Sequence, residues 1–305
     1  MMSEISSIVR DSIDMHYHIG PDVLPRRDTV ENLLKNERGK ITGIALKSHA
    51  FPTISAINTV EKKSDGPFLI GSITLNYFMG GFNPSAIYAS ATMSKGAPII
   101  VWFPTVHAEN HLLYNHSEYE IPPEWVKDPK FKPRLKSELK AIKVTDWNYR
   151  LFDKCNRVLK AIKENNGILA TGHLSWQESY VLASEALKMD IPTIITHPMQ
   201  RDIAMPIDVQ KELASKGAYI EHCYIMWLDR DHPEDYPLKT IKENIEEVGY
   251  DHCIISSDAG QVRNPSSSEC LETYMNLLNN EGISEHALAT MAVTNPRKIL
   301  GMEIK

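Results

Sequence analysis

Histidine occurs twelve times in this chain, and six of the twelve fall at or near the ends of short apolar runs: His16, His18, His49, His173, His197 and His222. One carboxylate, Asp258, closes the series at the end of the run Cys253–Asp258. Imidazole and carboxylate are common ligands of divalent transition metals. In Asp14-Met-His16-Tyr-His18 the two rings are two residues apart, so on a strand they point the same way. Lys47-Ser-His49 repeats that spacing. A lysine at the end of an apolar strand is costly to bury as an ammonium. Three readings of Lys47 stay open. Carboxylation by CO₂ would make it an anionic ligand able to bridge two metals. An unmodified ammonium would orient an anionic substrate or neutralise a developing anion. A structural lysine would line the interior with its stem and keep its head in water.

His173, in Thr-Gly-His-Leu-Ser, and His197, in Ile-Ile-Thr-His-Pro, stand where a strand gives way to a loop, and together they read as ligands. Asp258, in Ile-Ile-Ser-Ser-Asp-Ala-Gly, follows an apolar strand and needs a cation or several donors. It reads as a ligand that also takes a proton from bound water. Glu221 and His222 are adjacent, so at most one faces inward; a ligand or substrate contact, a group that supports a ligand, and a packing residue all stay open for either. Arg26, Arg201 and Arg263 follow the first, sixth and eighth strands and are candidates to clamp a substrate carboxylate. His107, His111 and His116 fall in a long connection and read as surface histidines.

Bringing these groups together is a task for the fold. Eight apolar segments read as strands covered on both faces: Ser12–His18, Ile41–His49, Phe68–Asn76, Pro98–Thr105, Ile168–His173, Thr193–His197, Ala218–Cys223 and Cys253–Asp258. Helices are expected between them. Asn83-Pro84 is an N-cap with proline at the first helical position, Ser175-Trp-Gln-Glu178 a capping box, and Asp28-Thr-Val-Glu31 a similar start. Gly96 and Gly217 fit C-terminal caps. Alternating strands and helices mean a parallel sheet. Ligands drawn from the first, second, fifth, sixth and eighth strands would be scattered along an open sheet but gathered at one mouth by a closed ring. The expected fold is therefore α/β, a single (β/α)₈ TIM barrel over residues 1–305. Residues 106–146, after strand four, form an insertion long enough to act as a lid over that mouth.

Composition narrows the function classes. Hydrophobic residues make up 42% of the chain, enough for a sizeable core, and the formal net charge is -6. No basic patch points to nucleic acid; Lys127–Lys143 and Lys154–Lys163 read as solvated faces. No apolar run nears the roughly 18 residues of a membrane span. Cys155, Cys223, Cys253 and Cys270 form neither a C-x-x-C pair nor a disulfide framework. The opening residues, MMSEISSIVRDS, carry no apolar signal core. A cytoplasmic protein with a small-molecule substrate, and no nucleic-acid or membrane partner, is the expectation.

The order His16-x-His18, His173, His197 and Asp258, with the ending Asn295-Pro-Arg-Lys-Ile-Leu-Gly301, resembles the amidohydrolase superfamily over essentially the whole chain. The pattern His-x-His-x-Gly-Pro-Asp, Leu-Lys-Ser-His, Thr-Gly-His-Leu-Ser and Ser-Ser-Asp-x-Gly-Gln looks like a poorly characterised subgroup. The resemblance implies a metal-dependent barrel, usually hydrolytic, with one or two divalent ions, zinc first and manganese or iron as substitutes. Binuclear members generally carry a carboxylated lysine or a glutamate on strand four. This chain has neither there, and Lys47 and His49 on strand two are the available replacements. The implied chemistry is cleavage of an amide, lactone or cyclic imide by water whose pKa the ion lowers from 15.7 to roughly 7. Asp258 would serve as base then acid. Rival readings are a phosphoesterase or a non-oxidative decarboxylase on the same barrel, or a catalytically silent barrel that binds a metal or ligand. Barrels of this class often self-associate, so a homo-oligomer is also expected.

Overall fold

The computed structural model describes residues 4–60, 66–228 and 237–303. Parallel strands alternate with helices along these residues: β1 (Ile13–His18), β2 (Gly43–Lys47), β3 (Phe68–Ile70), β4 (Ser72–Thr74), β5 (Ile100–Trp102), β6 (Ile168–Ala170), β7 (Thr193–Ile195), β8 (Tyr219–Cys223) and β9 (Cys253–Ser256). They form two ladders, β1-β2-β3 and β4-β5-β6-β7-β8-β9, parallel throughout.

Each of the eight apolar runs contains a strand, but the third does not hold one continuous strand. It breaks at Gly71, where an added Cβ would lie 2.8 Å from the Ile54 side chain. The helix Thr53–Ile57 presses on the chain there and parts the two ladders. Side chains bridge the gap: Ser72 N donates to Thr53 Oγ1 (2.8 Å), Thr53 Oγ1 to the Leu46 carbonyl (3.0 Å) and Thr74 Oγ1 to the Ser48 carbonyl (2.8 Å). At the other side, β1 meets the residues after β9. Tyr17 and Ala259 form a parallel bridge, His18 N donates to the Ala259 carbonyl (2.8 Å), and Asp258 N donates to the His16 carbonyl (2.8 Å).

The strands are buried on both faces, as continuous aliphatic runs require. Ile100, Ile168, Ile194 and Ile254 pack in one cluster with Ile13 and Trp102. Their chain neighbours Val101 and Leu169 pack against Ile87, Leu159 and Leu182, and Ile195 and Ile255 against Leu213, Ile245 and Leu271. β1 departs from strict alternation. Asp14 pairs with Ile44 but Tyr17 with Leu46, so Met15 and His16 together face Ala45. This bulge lets Met15 join the inner cluster while His16 and His18 still point into the strand-end region.

Helix starts follow the sequence with two changes. Asn83 Oδ1 accepts from Ala86 N (3.3 Å) and Ser175 Oγ from Glu178 N (3.3 Å). Glu178, however, does not close a capping box: its Oε1 accepts from Val144 N (3.0 Å), the end of the insertion. The cap of Val30–Asn36 is Thr29 rather than Asp28, because Asp28 accepts instead from Tyr17 Oη (2.7 Å) and Asn36 Nδ2 (3.1 Å). Gly96 and Gly217 take the left-handed backbone expected of them (φ 91° and 102°). All four cysteines are free and buried.

The insertion holds the helix Glu109–Tyr114 and short 3₁₀ turns at Pro123–Trp125 and Lys136–Glu138. Its base is fastened by Glu109 N to the Ile142 carbonyl (3.1 Å) and Ile142 N to the His107 carbonyl (2.8 Å). His116 is exposed, as expected. His107 and His111 are buried, which corrects the surface reading: the insertion folds back on the strand ends instead of standing away from them.

Gly260 (φ 110°) lies where a Cβ would fall 2.0 Å from the His18 carbonyl oxygen, whereas Gly39 (φ 69°) faces open space. Gly260→Ala should lower unfolding free energy by about 3 kcal/mol or more. Gly39→Ala, with backbone strain alone, should cost about 1 kcal/mol. Urea denaturation of both variants checks this; equal losses would remove Gly260 as a close-packed contact.

Candidate metal centre

His16 and His18 end β1, and Asp258 follows β9 by two residues. The β1–β9 hydrogen bonds bring the three together. His16 Nε2 and His18 Nε2 each lie 3.0 Å from Asp258 Oδ1. Lys47 Nζ, at the end of β2, is 2.9 Å from His16 Nε2 and stands 5.1 Å from the centre of the Trp102 ring. Glu221, on β8, faces inward with Oε2 3.2 Å from His16 Nδ1, and Cys223 Sγ is 3.9 Å from the same nitrogen. His49 packs against His18 with ring centres 4.8 Å apart, and its Nδ1 is 2.9 Å from Thr105 Oγ1. His197 stacks over His16 at 6.0 Å, and His173 lies 5.1 Å from His197.

The ladders stop before most of these residues. β2 ends at Lys47, β6 at Ala170, β7 at Ile195 and β9 at Ser256, so His49, His173, His197 and Asp258 sit on turns just beyond. His197 and Asp258 hold positive φ values of 25° and 51°. Such angles are uncommon for residues with a side chain and cluster at functional sites.

Burial sets the electrostatics. It drives the imidazoles of His16, His18, His49 and His173 well below the ordinary histidine value, and that of His197 down to about 4. The rings are therefore neutral and offer lone pairs. Burial also lowers Lys47, against the opposing pull of Asp258 and Glu221, and raises Glu221. If Nδ1–H of His16 points at Glu221, Nε2 is a lone pair that faces the Asp258 carboxylate at 3.0 Å and Lys47 Nζ at 2.9 Å. Two lone pairs so close repel unless a positive centre lies between or beside them. His18 Nδ1 and both nitrogens of His197 are buried without a hydrogen-bond partner. These are the features of a donor set suited to a divalent ion, with Glu221 orienting one ligand.

Above the group opens a cavity of about 1110 Å³. His18, His49, His173 and Asp258 line it, and the insertion walls it with Tyr114, Tyr119 and Trp125. Arg26 lines it too, its guanidinium held by Asp22 Oδ2 through Nε (3.0 Å) and Nη2 (2.8 Å). Arg201 also faces the cavity. Arg263 is exposed on the loop after β9 and is not among the lining residues. His222 is buried on the face of β8 opposite Glu221 and makes no contact with the group, as strand alternation requires. Sequence reading missed Asp22 and Asp202 and took His111 for a surface residue. Asp22 was within reach, four residues after His18 in the same motif. His111 and Asp202 carry no local signal, because only the insertion's path places them.

Several solved structures are similar in fold to this chain. An amidohydrolase from Pseudomonas aeruginosa superposes with a TM-score of 0.61 at 10% identity, covering 97% of this chain and 98% of its own. A probable dipeptidase from Pseudomonas aeruginosa gives 0.60 at 12% identity, covering 98% of each chain. A probable 2-pyrone-4,6-dicarboxylic acid hydrolase from Acinetobacter baumannii, with citric acid bound, gives 0.57 at 12%, covering 96% and 100%. No curated protein matches the sequence. Residues 11–221 match the model of the Family of unknown function (DUF6282), and the chain belongs to that family. No helix among the described residues is long and apolar enough to cross a membrane.

His222 supplies a pH test that does not involve the cavity. Burial lowers it from 6.5 to about 4, so the folded state prefers the neutral ring. Its stability contribution is complete above pH 6.5 and is lost as pH falls toward 4, up to about 3 kcal/mol. In His222→Phe the loss of stability between pH 7 and pH 4 should shrink by that order. Denaturant melts at the two pH values measure it, and an unchanged difference would mean that His222 is not held neutral.

Proposed function

We propose that the two ladders close into a (β/α)₈ barrel of one domain and that the chain is a metal-dependent hydrolase. Its substrate is a small molecule with an amide, lactone, cyclic imide or related C–N or C–O bond. The observation that carries the reading is the pair of neutral imidazoles, His16 and His18, both 3.0 Å from one oxygen of Asp258. His197, with both ring nitrogens buried and unpartnered, adds donors beside them. His16, His18, His197 and Asp258 would hold a zinc-like ion, which would supply polarisation of the scissile bond and water reactive near neutral pH.

The side chains do the rest. Asp258 takes the proton of the attacking water on its carboxylate and passes it to the leaving nitrogen or oxygen. Its side chain is 14% exposed to the cavity, enough to meet both. Glu221 fixes the His16 ring through Nδ1. Lys47, in the same group, is either a carboxylated, anionic side chain that would serve as a further ligand or an ammonium that balances the developing negative charge. Its lowered proton affinity suits the first role, since only a neutral amine adds CO₂. Arg26 and Arg201 line the cavity where they could receive a substrate carboxylate, and the insertion forms its wall.

Chelator-stripped protein should be inactive on a panel of chromogenic amides, lactones and esters and should regain turnover with Zn²⁺, Mn²⁺ or Fe²⁺. Asp258→Asn should lower kcat by about 10²- to 10⁴-fold with little change in melting temperature. Full activity in the stripped protein, or in the Asp258→Asn variant, would overturn the reading.

A further inference from the structure

We propose that Arg26 and His49 together form a receptor for one carboxylate of the substrate, in which His49 donates a hydrogen bond through Nε2 and is not a metal ligand. The inference rests on the reading that the cavity receives the substrate. Both residues line that cavity, and one buried carboxylate positions both. Asp22 Oδ1 accepts from Val23 N (2.8 Å) and His49 N (3.1 Å), and Oδ2 accepts from Arg26 Nη2 (2.8 Å) and Nε (3.0 Å). With four donors on two oxygens, Asp22 is satisfied. Arg26 is not. Asp22 takes only two of the five N–H groups of the guanidinium. The Arg26 side chain is 3% exposed and makes no other hydrogen bond among the described residues. Buried donors without a partner are costly. A carboxylate arriving from the cavity removes that cost and matches the planar fork of the guanidinium.

The proton of His49 is placed by a chain of hydrogen bonds that starts at Asn76. Asn76 Oδ1 accepts from two backbone donors, Thr105 N (3.0 Å) and His107 N (3.3 Å), so the orientation of the amide is not in question. Its Nδ2 then donates to the His49 carbonyl (3.2 Å) and to Thr105 Oγ1 (2.9 Å). Thr105 is wholly buried, and its hydroxyl hydrogen has one acceptor among the described residues, His49 Nδ1 at 2.9 Å. Nδ1 therefore accepts, and the ring proton sits on Nε2. A ligand role for Nε2 would move that proton to Nδ1. Thr105 Oγ1 would then face two donors, and its own hydrogen would be buried with no acceptor. Nε2 has no hydrogen-bond partner among the described residues, and His49 lines the cavity, so this N–H is offered to whatever the cavity holds.

The receptor adjoins the site of the proposed hydrolysis. His49 packs on His18 with ring centres 4.8 Å apart, and His18 Nε2 is 3.0 Å from Asp258 Oδ1. A carboxylate held by Arg26 and His49 consequently lies close to the scissile bond. Tyr114, Tyr119, Trp125 and Met226 line the same cavity and suit an apolar or aromatic remainder. The substrate class is an N-acyl amino acid, or a lactone or cyclic imide with a carboxylate beside the scissile bond.

The test measures binding without turnover. Hippurate and benzoate are titrated by calorimetry against hippuramide and benzamide, using the full-length protein before and after treatment with chelator. Each carboxylate should bind about tenfold or more tightly than its amide in both preparations. Arg26→Gln should abolish that preference, and His49→Phe should weaken hippurate several-fold, with circular dichroism unchanged in both. Thr105→Val should weaken hippurate as His49→Phe does, whereas Thr105→Ser, which keeps the hydroxyl, should bind like the parent. Nitrogen NMR of protein labelled with ¹⁵N-histidine should show the His49 proton on Nε2. A carboxylate preference without turnover of any amide or lactone by the metal-loaded protein would remove the hydrolase reading and leave the receptor standing. Equal affinity for the carboxylates and their amides would overturn the proposal, as would a preference that survives in both Arg26→Gln and His49→Phe, or a His49 proton found on Nδ1.

Discussion

A single buried carboxylate fastens the two ends of the strand series. Asp14, wholly inaccessible on β1, accepts from Ser257 N (3.0 Å), Ser257 Oγ (2.5 Å), Ser267 Oγ (2.6 Å) and His16 N (3.2 Å). Those donors belong to the segment after β9, to the helix Ser267–Asn280 and to β1 itself. Burial pushes the Asp14 carboxyl up to about 6, even though its hydrogen bonds pull the other way. Such a group is tolerable only while its donors are in place. It therefore fixes how β9 lies against β1, and with that the meeting of Asp258 with His16 and His18. Without that register, the imidazoles of β1 would face the interior with no carboxylate opposite.

The same junction explains why the chain accepts strain beside it. Asp258 and His197 hold left-handed backbone, and Gly260 and Gly172 take positive φ where a Cβ would strike the His18 carbonyl and the Phe103 carbonyl. A strand that simply continued would send alternate side chains to the helix layer. Turning the chain immediately after the ladder brings the next polar side chain over the strand ends instead. The cost is a stretch of backbone that few residues other than glycine adopt, offset by the packed apolar layers on both faces of the strands.

Much of this was legible from residue order. Eight apolar runs each contained a strand, and the two-residue spacing of His16 and His18 correctly placed both rings on one side, though the bulge at Met15–His16 left no trace in composition. Alternation separated Glu221 from His222, and the structure turned Glu221 inward. The ladder ends were harder. Hydrophobicity carries the apolar runs through Asn76, Thr105 and Asp258, whereas hydrogen bonding stops earlier because the backbone turns. The break at Gly71 depends on Ile54, seventeen residues away, and no local pattern announces it. The insertion was the least readable part. Its charged and aromatic composition suggests a solvated surface, and only its return path reveals that His107 and His111 are buried. Arg263 failed as a cavity residue for the converse reason, since position after a strand does not fix which way a loop residue faces.

The anchoring of the insertion has a consequence for how this scaffold can diversify. Its base is pinned by the His107–Ile142 and Glu109–Ile142 backbone bonds and by Glu178 gripping Val144. Its outer part is held separately by the Arg134–Glu120 fork and the Tyr119–Leu135 bridge. The stretch linking the two rests on the strand ends, where Asn110 Nδ2 donates to the Asp202 carbonyl and His111 Nδ1 lies 3.3 Å from His173 Nδ1. Residues 120–134, beyond that contact, take no part in it, so a change of length there transmits least distortion to the imidazoles below. Relatives of this chain can vary the rim of the cavity over those few residues while the histidines at its floor keep their setting.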